Sequence, residues 1–118
     1  MSIEVKRAYD PPARSDGYRV LVDRIWPRGV TKEDLGVDAW LKDLAPSTDL
    51  RKWFGHDPKK WDVFKERYGR ELEQQADALE QLLAQARAGQ ITLVFGARDT
   101  EHNNAVALKE HLERRLKR

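Results

Sequence analysis

The residues with chemical capacity gather in two short stretches. One holds Asp23, Arg24, Trp26 and Arg28; the other holds Arg98, Asp99, His102, Asn103 and Asn104. Three guanidiniums in this set offer forked donors to a phosphate or a carboxylate. An unperturbed imidazole titrates near neutrality, which makes His102 a candidate general base, with Asp23 the other group able to move a proton. Asn103 and Asn104 are poor helix formers set side by side, and their amides could orient a ligand. The expected site takes a small anionic ligand, with Asp23 and His102 in catalytic positions. Arg24, Trp26, Arg28, Arg98, Asp99, Asn103 and Asn104 would be its binding residues, and neither a cofactor nor a metal is expected.

Each of these residues also has a purely structural reading. Asp23 and Arg24 could form an ion pair that anchors a loop. Trp26-Pro27 could plug the end of the core, Asp99 or Thr100 could be a helix cap, and His102 could simply be exposed. His56-Asp57 reads as the end of one helix and the cap of the next. Familiar nucleotide and hydrolase signatures are missing: there is no G-x-G-x-x-G, Walker A, H-E-x-x-H or G-x-S-x-G. Three His with no Cys and no close pairing argue against a zinc site.

The elements that must position these groups follow from periodicity. Ile3 to Arg7 alternates apolar and charged residues, as a half-buried strand does. Tyr18 to Asp23 is read as a strand on its Val20-Leu21-Val22 run, and Ile91 to Phe95 is an uncharged run rich in β-branched residues; both carry the mark of strands covered on both faces at the centre of a parallel sheet. Thr31 to Gly36 reads as a short helical turn, and Asp49 to Phe54 as a short helix stopped by Gly55. Val37 to Leu44 fits helix or strand. From Pro58 to Gly89 an apolar stripe through Trp61, Phe64, Tyr68, Leu72, Leu79 and Leu83 predicts one long amphipathic helix, with a bend at Gly69. The last helix is expected to start near Thr100. Strands alternating with helices predict a three-layer α/β domain over residues 1–118, with a mainly parallel sheet of about four strands. Both polar stretches then follow central strands, at the carboxyl edge where open α/β sheets bind ligands.

Composition narrows the function classes. The 118 residues are 40% hydrophobic and 36% charged, with ten aromatic residues, too many for a disordered chain. There is no Cys, hence no disulfide and no thiolate chemistry. The first ten residues lack the apolar stretch of a secretory signal and no run is long enough to span a bilayer, so a bacterial-type cytoplasm is the expected compartment and no membrane partner is expected. Glu101 to Arg118 carries five Lys/Arg against three Asp/Glu, which accounts for the net charge of +2. Cations at a helix C-terminus complement the dipole, so this tail argues against nucleic acid as the partner. A nucleic-acid-binding or regulatory module using that tail is the alternative function, and a protein-interaction domain exposing Trp residues is another.

The stretches VLVDRIWPRGV, DAWLKDLAPS, LRKWFGHDP, LVFGARD and HNNAVALKEHL closely resemble the YeaO-like proteins, a branch of a large bacterial family of uncharacterised proteins. The resemblance spans Ile3 to about Leu116. Longer members of the broader family carry a D-V-R-x-x-P motif after a buried strand, similar to Val22 to Pro27 here, and a Cys-His-Arg near the start of the last helix. That second motif falls near His102-Asn103-Asn104, where this sequence departs from it. The resemblance implies a strand over Asp38 to Leu44, and it supports one pocket built from Asp23 to Arg28 and Arg98 to Asn104.

Overall fold

A computed structural model describes residues 2–117. Four strands form one all-parallel sheet: β1 (Ile3–Arg7), β2 (Tyr18–Leu21), β3 (Ala39–Trp40) and β4 (Ile91–Phe95), in the order β1-β4-β2-β3. The uncharged runs decide the centre: every residue of β4 is buried, as are Val20 to Val22. β2 ends two residues short of the expected Asp23, although Val22 N–H still donates to Val94 O at 3.1 Å.

The architecture is three-layer α/β, with layers of unequal thickness. Alternation along β2 and β4 sends Val20, Val22, Ile91, Leu93 and Phe95 to one face and Leu21 and Val94 to the other. The first face is covered by α2 (Thr48–Phe54), α3 (Trp61–Gln74), α4 (Ala76–Ala88) and α5 (Asn104–Leu116). The second face is covered by α1 (Lys32–Leu35) through Leu35, with Trp26, Val30, Val37 and Trp40 packed around it. Thr31 caps α1 by accepting the Asp34 N–H, as the sequence predicts.

Three expectations change. The stripe from Trp61 to Ala86 belongs to two helices, with the break at Gln75 (φ −103°, ψ 51°) and not at Gly69. A straight helix from Trp61 to Ala88 would run about 42 Å at 1.5 Å per residue. The molecule measures 36 × 34 × 22 Å, so the chain must turn to keep Leu79 and Leu83 on the sheet. Gly69 lies within α3 where it faces α5, and a Cβ there would meet His111 Nδ1 at 3.4 Å, an ordinary contact. The segment Val37 to Leu44 contributes only the two residues of β3 and then a 3-10 turn over Lys42–Leu44. Lastly, α5 begins at Asn104, with Asn103 as its cap, four residues beyond the expected start.

Candidate functional site

The chain leaving β2 runs on towards β3, whereas the chain leaving β4 enters α5, which packs back over β1 and β4. The carboxyl ends of these adjacent strands therefore open between diverging connections, the arrangement that creates a binding crevice in open α/β sheets. A cleft of about 370 Å³ lies there, lined by Asp23, Arg24 and Ile25 after β2, Ala97 and His102 to Asn104 after β4, and Arg51, Lys52 and His56 from the end of α2.

Asp23 ties the two strand ends together. Its Oδ2 accepts the Gly96 N–H at 2.8 Å and its Oδ1 accepts Asn104 Nδ2 at 3.1 Å. Asn104 also donates to Val22 O at 2.9 Å, so the first residue of α5 is fastened to the end of β2. Burial pushes the Asp23 carboxyl above its usual value, against the opposing pull of Asn104, Gly96 and Arg51. Asn103 is buried; its side-chain oxygen accepts the Val106 N–H at 2.9 Å, and its amide donates to Asp99 O at 2.9 Å.

Asp99 organises the loop before that cap. Its Oδ1 accepts the N–H groups of Glu101 (2.9 Å) and His102 (3.0 Å), and its Oδ2 lies 3.0 Å from His102 Nδ1. The Glu101 and His102 N–H groups hold the Asp99 carboxyl below its usual value. Because Asp99 uses these N–H groups, they are not the free donors of a first helical turn, and His102 sits in the loop. Its ring stands edge-on to Trp61, with centroids 5.4 Å apart. A carboxylate-oriented imidazole of this kind can accept or deliver a proton.

The third wall comes from α2, whose cations were not among the expected site residues. Ser47 caps α2 by accepting the Leu50 N–H and is held by Glu71 of α3 through its own N–H and hydroxyl, at 2.8 and 2.6 Å. Phe54 stacks on Phe64 (4.4 Å) to fix the other end. Gly55 and then His56 take left-handed conformations (φ 54° and 57°); among the described residues His56 is the sole non-glycine with positive φ. From this turn His56 lines the cleft. The sequence carries no distinct signal for Arg51 and Lys52, since both lie in the last turn of a short helix and Lys52 has Asp49 three residues before it.

Trp26, Arg28, Arg98 and Asp99 do not line the cleft. Trp26 packs on Trp40 (5.3 Å) and donates to Val30 O, while Arg28 and Arg98 are exposed. In the basic tail, Arg115 is engaged by Glu73 at 2.9 Å and Glu80 at 2.6 Å; Arg118 lies outside the described residues. The tryptophans are engaged too, Trp53 beneath Lys60 and Arg67 and Trp61 against Phe64. Among the described residues no helix is long and apolar enough to cross a membrane.

A parallel α/β fold with a cation-lined crevice between its central strands is the class these observations define. The chain belongs to the DUF488-N3i family, described as the inactive DUF488-N3 subclade, whose model matches residues 2–118. It is 44% identical over 112 residues to the uncharacterised protein YeaO of Escherichia coli (strain K12), covering 95% of this chain and 97% of YeaO. It is 41% identical over 113 residues to the uncharacterised protein Rv3073c of Mycobacterium tuberculosis (strain ATCC 25618 / H37Rv), covering 96% and 95% of the two chains. No solved structure matches significantly.

Proposed function

We propose that this cleft binds a small phosphate- or carboxylate-bearing ligand and holds it without transforming it. The observation that carries this reading is the convergence of Arg24, Arg51 and Lys52 on one cleft, while among the described residues none of them has a carboxylate within 4.0 Å. Exposed guanidiniums without acidic partners are available to an anion, and each charge-assisted bond is worth about 1.5–3 kcal/mol. Binding is favoured over turnover because among the described residues no thiol or hydroxyl nucleophile lines the cleft, although Asp23 and His102 could move protons. The description of the family as an inactive subclade supports the same choice.

Calorimetric titration with inorganic phosphate tests the reading. Arg51→Ala should weaken binding by about 1–3 kcal/mol. It should change stability by less than about 0.5 kcal/mol, because Arg51 is exposed. Unchanged phosphate affinity in this variant, or no binding by the unaltered protein, would refute it.

A further inference from the structure

We infer that the ligand carries a hydroxyl beside its anionic group and that Asp23 reads this hydroxyl, so the cleft suits a small hydroxylated anion such as a polyol phosphate. This inference rests on the anion reading above and adds the class of ligand. An ionised carboxylate has about four acceptor positions. Asp23 fills one on each oxygen, with Gly96 N–H and Asn104 Nδ2, and no other described residue donates to it.

Asp23 lies in the cleft without a Lys, Arg or His nitrogen within 4.0 Å among the described residues. Burial disfavours its charged form and outweighs the pull of Asn104, Gly96 and the more distant Arg51. An anion drawn in by Arg24, Arg51 and Lys52 shares this small space with a like charge. A hydroxyl on the ligand resolves the conflict. It donates to one of the empty acceptor positions, and its carbon chain keeps the two anions apart. An ammonium could donate there as well, but the three cations around the cleft repel it. Ile25, Phe54 and Phe64 supply apolar wall for the carbon skeleton.

The test compares sn-glycerol 3-phosphate with propyl phosphate, which has the same carbon count and no hydroxyl. The unaltered protein should bind the hydroxylated ester about tenfold more tightly, the worth of one bond to a charged acceptor. In Asp23→Asn the repelling charge is gone, so propyl phosphate should bind more tightly and the preference should fall below about twofold. A preference near one in the unaltered protein would overturn the inference while leaving the anion reading standing, and this measurement needs no variant. A preference that survives in a folded Asp23→Asn protein, checked by thermal melt, would overturn it too, since another group would then be reading the hydroxyl. Arg51→Ala should weaken both esters by a common factor. If neither ester binds the unaltered protein, the anion reading fails and this inference fails with it.

Discussion

The sheet end opposite the cleft offers the sharpest test of how this fold is held. Arg19 is only 4% exposed, and it donates from Nη1 to Asp16 (2.7 Å), from Nη2 to Leu35 O (2.7 Å) and from Nε to Gly36 O (3.2 Å). Asp16 also accepts the Ala13 N–H at 2.9 Å and Lys6 Nζ at 3.2 Å. Asp16→Ala would leave a buried guanidinium without its counter-charge. Breaking such a pair costs about 3–5 kcal/mol, and the two surviving carbonyl bonds place the loss near the lower end. The double variant Asp16→Ala with Arg19→Met removes the stranded charge and should recover at least about half of that loss. Urea melts would measure both. Burial alone would raise the Asp16 carboxyl, but Ala13 N–H, Lys6 and Arg19 outweigh it and hold the carboxyl below its usual value. The group is therefore more acidic folded than unfolded. Its stabilisation is complete above the ordinary carboxylate range and is lost as pH falls through the folded-state value, so the acid limb should be flatter in the variant. A single-variant loss under about 1 kcal/mol, or a double variant no better than the single, would refute this account.

Leu79 is fully buried in α4, so Leu79→Ala should cost about 2–5 kcal/mol in a urea melt; a loss typical of a surface site would contradict the packing. Two glycines should respond with opposite signs in thermal melts. At Gly17 (φ 66°) a Cβ would lie 2.3 Å from the Gln90 carbonyl oxygen, so Gly17→Ala should cost more than about 2 kcal/mol. At Gly69 the nearest atom to a Cβ is His111 Nδ1 at 3.4 Å, so Gly69→Ala should gain up to about 1 kcal/mol of helix propensity. Equal effects at the two positions would show that these contacts are misjudged.

Much of the fold could be read from local pattern because the informative residues act locally. β1 and β4 have the predicted bounds, since alternation and an uncharged run are short-range signals. The helix break at Gln75 could not be read, because Glu71 to Gln81 contains neither Gly nor Pro and is rich in helix formers. The break answers to packing at long range, since α3 and α4 must both keep their buried residues on the one core. The start of α5 was ambiguous for another reason: Asp99, Thr100 and Asn103 are all competent caps. Asp99 spends its carboxylate on a turn, and the cap falls to Asn103. At the candidate site the two strand-end loops were legible, and the structure brings Asp23, Arg24, His102, Asn103 and Asn104 together. Arg51, Lys52 and His56 were not legible, since cations at the end of a short helix have an ordinary reading as dipole partners.

The position of β4 bears on how this protein is made. It is the last strand in the sequence, yet it lies between β1 and β2 and hydrogen-bonds to both. On a growing chain that has reached only Gln90, β1 has no neighbour and β2 has only the two residues of β3. Helices α2 to α4 are already synthesised by then, but the sheet face they cover lacks Ile91, Leu93 and Phe95. Assembly must therefore wait for the final quarter of the chain. A polypeptide stalled before Ile91 would present unpaired strands and bare apolar helix faces, the surfaces that chaperones hold and that aggregate when left alone.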